Sequence, residues 1–489
     1  MRSLFLIFGL VLSASAAASS DQLEPPKNPY LADSPWPMTH RNPYCQASTP
    51  WPGPRAEDFN DQLANAFLAS AEAVAITLNL SPRNLDGDYS IWGSARKSLF
   101  KLDANNGRWS NTQSIRKPRA SKKAISGAYT LLDRDGRFFV PSGRTILVYT
   151  ESTPGRPQSR IHRLRDIGLP HELLQSDDEM IVGINLTYDG YLVVVTNHAL
   201  LAVFSRDGKL KSSIRLARDE QVSNSIALDE DGGIYVVTHK KIYRVDWGRG
   251  DLAIKWMSEY PSSEQVLPGR LGLGSGTTPT LMGFGPQDKL VVIADGQKAM
   301  NIIAFWRDQI PENWQSPSGF SRRVAGVTPI TFGKPGVNRA ITEQSLLVSG
   351  YDAVAVNNDY GDIPSDERSN FWTILYSNRK EYAPYGIEKF RWSTKDRKII
   401  SVWANPELSV PNGVPAMSSA TGLIYYVGQH QERWTVEAVD WETGALKFRH
   451  LLTDEIKFNS FYAGMEIGYS SDLMTGVIGG ALRITVRPD

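Results

Sequence analysis

Hydrophobic residues in this chain come in short runs of period two, cut by Asp, Asn and Gly, and one stretch shows the unit whole. Between Val222 and Trp247 the sequence reads VSNSIALDEDGGIYVVTHKKIYRVDW. An apolar run at Ser225–Leu228 meets an acidic Gly turn at Asp229–Gly233, and a β-branched run follows at Ile234–Thr238. His239 and Lys240 reverse the chain, and a third alternating run ends at Asp246–Trp247. Alternation at period two between Asp/Gly turns predicts three antiparallel strands. A fourth, outer strand is expected around Ile254–Trp256.

The unit recurs along the chain. Comparable positions at Ala128, Gly183, Asn224, Thr278, Gln344, Val414 and Gly464 follow at intervals of about 40 to 70 residues, close to the period of a four-stranded propeller blade once loops are allowed. With the least regular unit, from Ala75, the count is eight, or seven if that first unit is only a closing strand. In the sixth unit a long polar insertion delays the third and fourth strands to Ile387–Trp392 and Ile399–Trp403. The last unit ends at Asp489 with three strands written, so closing the ring requires an outer strand from the N-terminal region, which removes an open sheet edge. The expected fold class is all-β, a single β-propeller over residues 75–489, closed by an N-terminal strand.

Residues 21–74 precede the repeats. From Asp21 to Pro54 the chain is rich in Pro, Trp and Asn, which predicts an extended segment laid over a surface. From Glu57 to Ala73, Phe59, Leu63, Phe67 and Leu68 fall at helical spacing and predict one short helix. Residues 1–20 carry Arg2, an apolar run from Leu4 to Leu12 and small residues with Ala14-Ser15-Ala16 and Ala16-Ala17-Ala18 as cleavage candidates, the layout of a secretory signal. That run is far short of the roughly twenty apolar residues that span a bilayer, and no later stretch approaches them. The reading is a secreted or periplasmic protein without a membrane span.

Composition narrows the chemistry. Of 489 residues 41% are hydrophobic, enough for a large core, and 53 basic against 52 acidic residues leave a net charge of +1 with no basic block. No electrostatic footprint for nucleic acid follows from that distribution. Cys45 is the single cysteine, so an intrachain disulfide, a C-x-x-C-H haem site and a Cys-based zinc cage are excluded. Such a thiol is expected to be buried packing.

Within AVDWETGALKF, the residues Ala438, Asp440, Thr443 and Gly444 form an A-x-D-x-x-T-G turn after a third strand. This resembles the blade motif of quinoprotein-type propellers, the pyrroloquinoline-quinone (PQQ) repeat, where a Trp follows four residues after the Gly; here Phe448 stands in its place. Weaker forms occur at Asp103…Gly107-x-Trp109 and at Asp207-Gly208. The opening unit, with Ser223-Asn224 before a strand and an Asp-Gly turn, is similar to the sugar-lactonase and gluconolactonase propellers. That resemblance implies a divalent metal held in part by Asn224, and the quinoprotein one implies calcium beside PQQ.

In an antiparallel blade the start of the innermost strand and the second-to-third-strand hairpin share one end, so both open on one mouth of the ring. Asn224, Thr277, Thr278, Glu343, Gln344 and Asn412 fall at starts of inner strands, and Asn197, His198, His239, Asp295, Asn357, Asn358, Asp359 and His430 fall in hairpins. A hard cation such as calcium takes carboxylate and amide oxygens, so Glu343, Asn224 and Asp295, with Asn412 or Asn357, are the candidate metal set. His239 and His430 occupy corresponding hairpin ends and, with Glu343, are the candidate catalytic groups. Asn and Asp are equally what turns demand.

Three functions fit this pattern. A metal-assisted hydrolase of lactone or ester type, in which the metal polarises a carbonyl and Glu343 or a His moves the proton, uses the set most fully. A non-catalytic propeller that binds a protein, glycan or small molecule is the alternative. A PQQ-dependent dehydrogenase ranks third, because the chain has no cysteine pair and an imperfect docking motif. N-terminal sequencing of exported material is expected to begin between Ala17 and Asp21; an intact Met1 rejects the signal assignment.

Overall fold

The strands of the Val222–Trp247 unit are buried on both faces, because each blade stacks between two others. In the computed structural model of the protein, which describes residues 24–55, 57, 63–69, 77–118, 128–270, 272–362 and 367–486, that unit is a four-stranded sheet. Its strands are Ala227–Leu228, Gly233–Val237, Lys241–Gly248 and Asp251–Glu259. Period two sorts the middle strand between two cores. Ile234 and Val236 join Val193 and Val203 of the preceding blade, whereas Tyr235 and Val237 join Leu281 and Val291 of the following one. Each aliphatic side chain so buried contributes about 1.5–3 kcal/mol. The turn is set by Asp229, whose Oδ1 accepts the Gly233 amide at 2.7 Å, while Gly232 takes the left-handed φ of 85°.

Eight such blades form one ring, an eight-bladed β-propeller. The other innermost strands are Thr77–Leu80, Leu131–Leu132, Ile181–Leu186, Thr280–Met282, Leu347–Ser349, Ala416–Ser418 and Met465–Ile467. The first blade packs back on the last, through Thr77–Leu80 against Leu473–Val477. In blade six the insertion between Asp352–Val356 and Ile387–Ser393 carries the one α-helix among the described residues, Glu367–Leu375. No described helix is long and apolar enough to cross a membrane. The A-x-D-x-x-T-G turn closes as its residues imply, with Asp440 Oδ1 accepting both the amide and the hydroxyl of Thr443 at 2.9 Å. A side chain at Gly444 would stand 2.4 Å from the Trp403 ring of blade six, so the glycine admits that aromatic.

Two N-terminal expectations are corrected. Within the predicted helix over Glu57–Ala73, Leu63–Ala69 is instead a strand, antiparallel to Gly480–Val486 from Leu63 opposite Val486 to Ala69 opposite Gly480. It is the closing strand of blade eight. The exposed edge of Gly480–Val486 offers a row of hydrogen bonds that a helix could not fill, and this outweighs local spacing.

The Pro-rich segment does not lie over a surface but enters the axis of the ring. Residues 42–49 are all buried, and Trp36, Met38, Tyr44 and Cys45 are core residues. The amides of Leu80, Leu132, Leu228, Leu281, Val348 and Met417 donate to the carbonyls of Trp36, Pro37, Pro43, Tyr44, Gln46 and Ala47 at 2.7–3.0 Å. Six of eight innermost strands are thus capped by one strap. In blade seven it adds a strand, Ser48–Thr49, parallel to Ala416–Ser418. Asn185 of blade three reaches the same strap, donating to the Pro43 carbonyl at 3.2 Å. The strap turns sharply at His40, Arg41, Cys45 and Ala47, all left-handed at φ 55–71°. Cys45 is inert packing, and burial pushes its thiol pKa up.

Buried amides left without acceptors cost about 1 kcal/mol or more each, so six of them approach the whole stability of a typical domain. A chain lacking residues 1–69 loses both strap and closing strand and is expected to aggregate on size-exclusion chromatography. A monodisperse, folded product contradicts the closed, strapped ring.

Candidate functional site

The mouth is built around the connection from blade four to blade five, residues 260–279. Its Arg270 side chain is fully buried. Nη1 donates to the Gly296 carbonyl at 2.7 Å, Nη2 to the Gly274 carbonyl, and Nε faces Glu343 Oε2 at 3.4 Å. Asn224 donates from Nδ2 to the carbonyls of Ser275 and Thr277 at 3.1 and 3.0 Å. Gly276 leaves room for the Glu343 carboxylate, since a Cβ would sit 2.2 Å from its carboxyl carbon and displace it from Arg270. Asp295, fully buried, accepts from Asn301 Nδ2 at 2.7 Å and from the Gln297 amide at 3.0 Å. Burial pushes its pKa up to about 6, opposed in part by the hydrogen bonds from Asn301 and Gln297.

Three expected site residues, Asn224, Asp295 and Glu343, therefore converge on one loop. The cation on that loop is the Arg270 guanidinium, which faces Glu343 directly and Asp295 at longer range. A hard ion needs free carboxylate oxygens, but the Glu343 carboxylate faces Arg270 and the Asp295 oxygens are turned to Gln297 and Asn301. Asn224 Oδ1, buried and without a protein partner, is the one oxygen of the three still open. Among the described residues no cluster of three His, Cys, Asp or Glu side chains could hold a metal. Calcium, alone or beside PQQ, does not fit this set without breaking a buried ion pair.

Asn412 has a different role. Its Nδ2 donates to the Ile374 carbonyl and to Ser377 Oγ at 3.2 and 3.0 Å, and its Oδ1 accepts from Ser460 Oγ and from the Phe461 amide at 3.2 and 3.1 Å. Asn459 donates to the carbonyls of Ile374 and Leu375 and accepts the Phe461 amide at 2.7 Å. Both asparagines satisfy the carbonyls that a helix leaves open at its C-terminal end. They also hold Phe461 and Tyr462 in consecutive left-handed conformations, φ 43° and 67°. For bulky residues that is strain of about 1–3 kcal/mol each, of a kind that gathers at ligand clamps.

The strained pair completes an aromatic platform on the mouth. Phe461 meets Phe371 edge to face at 5.7 Å, and Trp372 stacks on Tyr376 at 5.5 Å, with Arg379 over the Tyr376 ring. Phe371 and Trp372 are 43% and 44% exposed and adjacent, so they present a joint aromatic surface. At the base of the same insertion lies a cleft of ≈ 540 Å³ lined by Lys334, Asn338, Arg339, Asn357, Asp359 and Tyr385, among others. Arg339 pairs with Asp359 at 2.6 Å. Asn357 belongs to this cleft, with its Nδ2 on the Tyr385 carbonyl and its Oδ1 on the Asp359 amide, both at 2.9 Å.

The two histidines are not brought together as a base pair. His239 is on blade four, its Nδ1 accepting the Gln221 amide at 2.9 Å and its pKa lowered by burial; His430 ends a strand of blade seven, opposite Arg433. Arg270, Phe371, Trp372, Phe461 and Tyr462 escaped the sequence reading. Arg270 had a signal, an arginine inside the glycine-rich run PGRLGLGSG.

Glu343→Gln is expected to lower stability by about 3 kcal/mol, because it leaves the buried Arg270 charge without its partner. Chemical denaturation measures this, alongside divalent-metal content by elemental analysis, which should not change. Loss of a bound divalent ion at unchanged stability overturns the pairing.

No family model matches the chain. Among solved structures it is similar to a europium-containing methanol dehydrogenase, with TM-score 0.56 and 9% identity, over 92% of this chain and 98% of that one. It is also similar to the C-terminal WD40 domain of Sif2, with TM-score 0.52 and 8% identity, over 87% and 99%. Both likenesses are of fold alone. An uncharacterized protein of Archaeoglobus fulgidus is 40% identical over 473 residues, 94% of this chain and 89% of its own length. With that identity across nearly the whole of both, the chain belongs to one family with the archaeal protein.

Proposed function

We propose that the protein is an exported, non-catalytic propeller that binds a carbohydrate at its mouth. The observation that carries this reading is the aromatic platform in which exposed Phe371 and Trp372 meet Phe461, whose own backbone is strained. Aromatic faces carry partial negative charge and suit the polarised C–H faces of a sugar ring. The cleft supplies polar groups for hydroxyls: the Lys334 ammonium, the Asn338 amide, the Arg339–Asp359 pair and Tyr385. Its size is that of a small-molecule site. Export rests on the signal-like residues 1–20. A lactone hydrolase or a PQQ dehydrogenase draws on a hard-cation site, and for this Glu343 and Asp295 are already committed.

Isothermal titration against a panel of neutral soluble oligosaccharides (gluco-, chito-, xylo- and galacto-series) is expected to find a binder. Trp372→Ala should weaken it at least tenfold, roughly 1.4 kcal/mol, with the melting temperature unchanged because the ring is half exposed. Absence of any binder at millimolar sugar, or equal binding by the variant, overturns the reading.

A further inference from the structure

The face opposite the mouth carries a second cleft, of ≈ 600 Å³, between blades six and seven. Its walls come from first-to-second-strand turns (Tyr351, Gly422) and third-to-fourth-strand turns (Trp441, Glu442), which share the end of a blade away from the mouth. Trp441 and Glu442 belong to the A-x-D-x-x-T-G turn, whose Asp440 is absorbed by Thr443 and by Lys447 at 3.3 Å.

The charges in this cleft are unevenly matched. Asp352 accepts both Nε and Nη2 of Arg391 at 2.6 and 2.7 Å, and also the Lys389 ammonium at 2.8 Å. Lys389 is wholly buried, donates to the Trp441 carbonyl at 2.9 Å and lies 4.2 Å over the Trp441 ring. Two cations thus share one close carboxylate. The second acid, Glu442, stands 3.6 Å from Lys389 and 3.5 Å from Arg391, beyond good hydrogen-bond distance, and its side chain is 66% exposed. Arg391 is 42% exposed and commits one edge of its guanidinium to Asp352, which leaves the Nη1 edge for a planar acceptor.

We infer that this cleft binds an apolar monocarboxylate, whose carboxylate takes the place of Glu442 against Arg391 while its body lies along the half-buried Tyr351. The local surplus after Asp352 is a single positive charge, so one negative charge completes it and two exceed it. Glu442 is then a tethered counter-ion, holding the site neutral until a ligand arrives. This site is independent of the mouth and of the carbohydrate reading.

The test uses the full mature chain with phenylacetate, the dianion phenyl phosphate and neutral benzyl alcohol as probes, read by calorimetry and by tryptophan fluorescence. Phenylacetate is expected to bind at least tenfold tighter than either other probe, and more weakly as salt rises. Glu442→Gln removes the competing carboxylate and should tighten phenylacetate severalfold, whereas Arg391→Gln should loosen it at least tenfold. Because Glu442 is exposed, its variant remains informative should Arg391→Gln fail to fold. Benzyl alcohol or phenyl phosphate binding as well as phenylacetate, or Glu442→Gln weakening it, overturns the assignment.

Discussion

A propeller leaves each innermost strand with one edge turned to the axis, where no further blade can pair with it. Everything else in this molecule depends on how that edge is satisfied. Here the residues from Trp36 to Ala47 supply carbonyls to six inner-strand amides in turn, and Asn185 adds a side-chain bond from a seventh blade. Prolines suit such a strap, because Pro35, Pro37 and Pro43 have no N–H that would need an acceptor of its own, yet each keeps its carbonyl. The strap runs largely buried against the inner strands, and the two clefts, lined by other residues, lie at the rims.

Four of the deepest buried charges in this fold are held in pairs, whereas others, such as Arg307 and Asp295, are buried on neutral hydrogen-bond partners. Lys101 with Glu151, Arg270 with Glu343, Lys389 with Asp352 and Arg483 with Asp472 are all nearly or wholly inaccessible, at 2.7–3.4 Å. Three of them link strands or loops distant in sequence. Replacing either partner leaves an uncompensated ion, so the pairs enforce which segments meet more than they add net stability. At the mouth this has a functional consequence, because the carboxylate most suited to a metal is the partner of Arg270. What remains for recognition is on loops: the insertion of blade six, the 452–464 connection before blade eight, and the turns of blades six and seven. A rigid ring with variable loops is the usual division of labour.

The repeat was legible because it is local. Each blade is a meander whose strands are neighbours in sequence, and its Asp/Gly turns, such as Asp229–Gly233 and Asp440–Gly444, close within a few residues. The eight units, the interrupted sixth and the outer strand of the fourth all stand where alternation put them, and the closing strand was implied by the three-stranded last unit. The mouth, too, was partly legible, since Asn224, Asp295 and Glu343 do gather on one loop. The identity of the cation on that loop was not, as Arg270 lies 73 positions from Glu343 and no periodic pattern links them.

Alternation and turn residues therefore determined, from sequence alone, an all-β ring of eight or seven blades, and the structure decided for eight. Only the tertiary structure decided that Leu63–Ala69 is a strand, that residues 36–49 fill the axis, and that Asn412 braces a helix end and two strained aromatics instead of a metal. The physical reason is common to all three. A strand edge, an axial amide or an uncapped carbonyl is a demand created by the assembled ring, and the segment that meets it is chosen by where the ring leaves room.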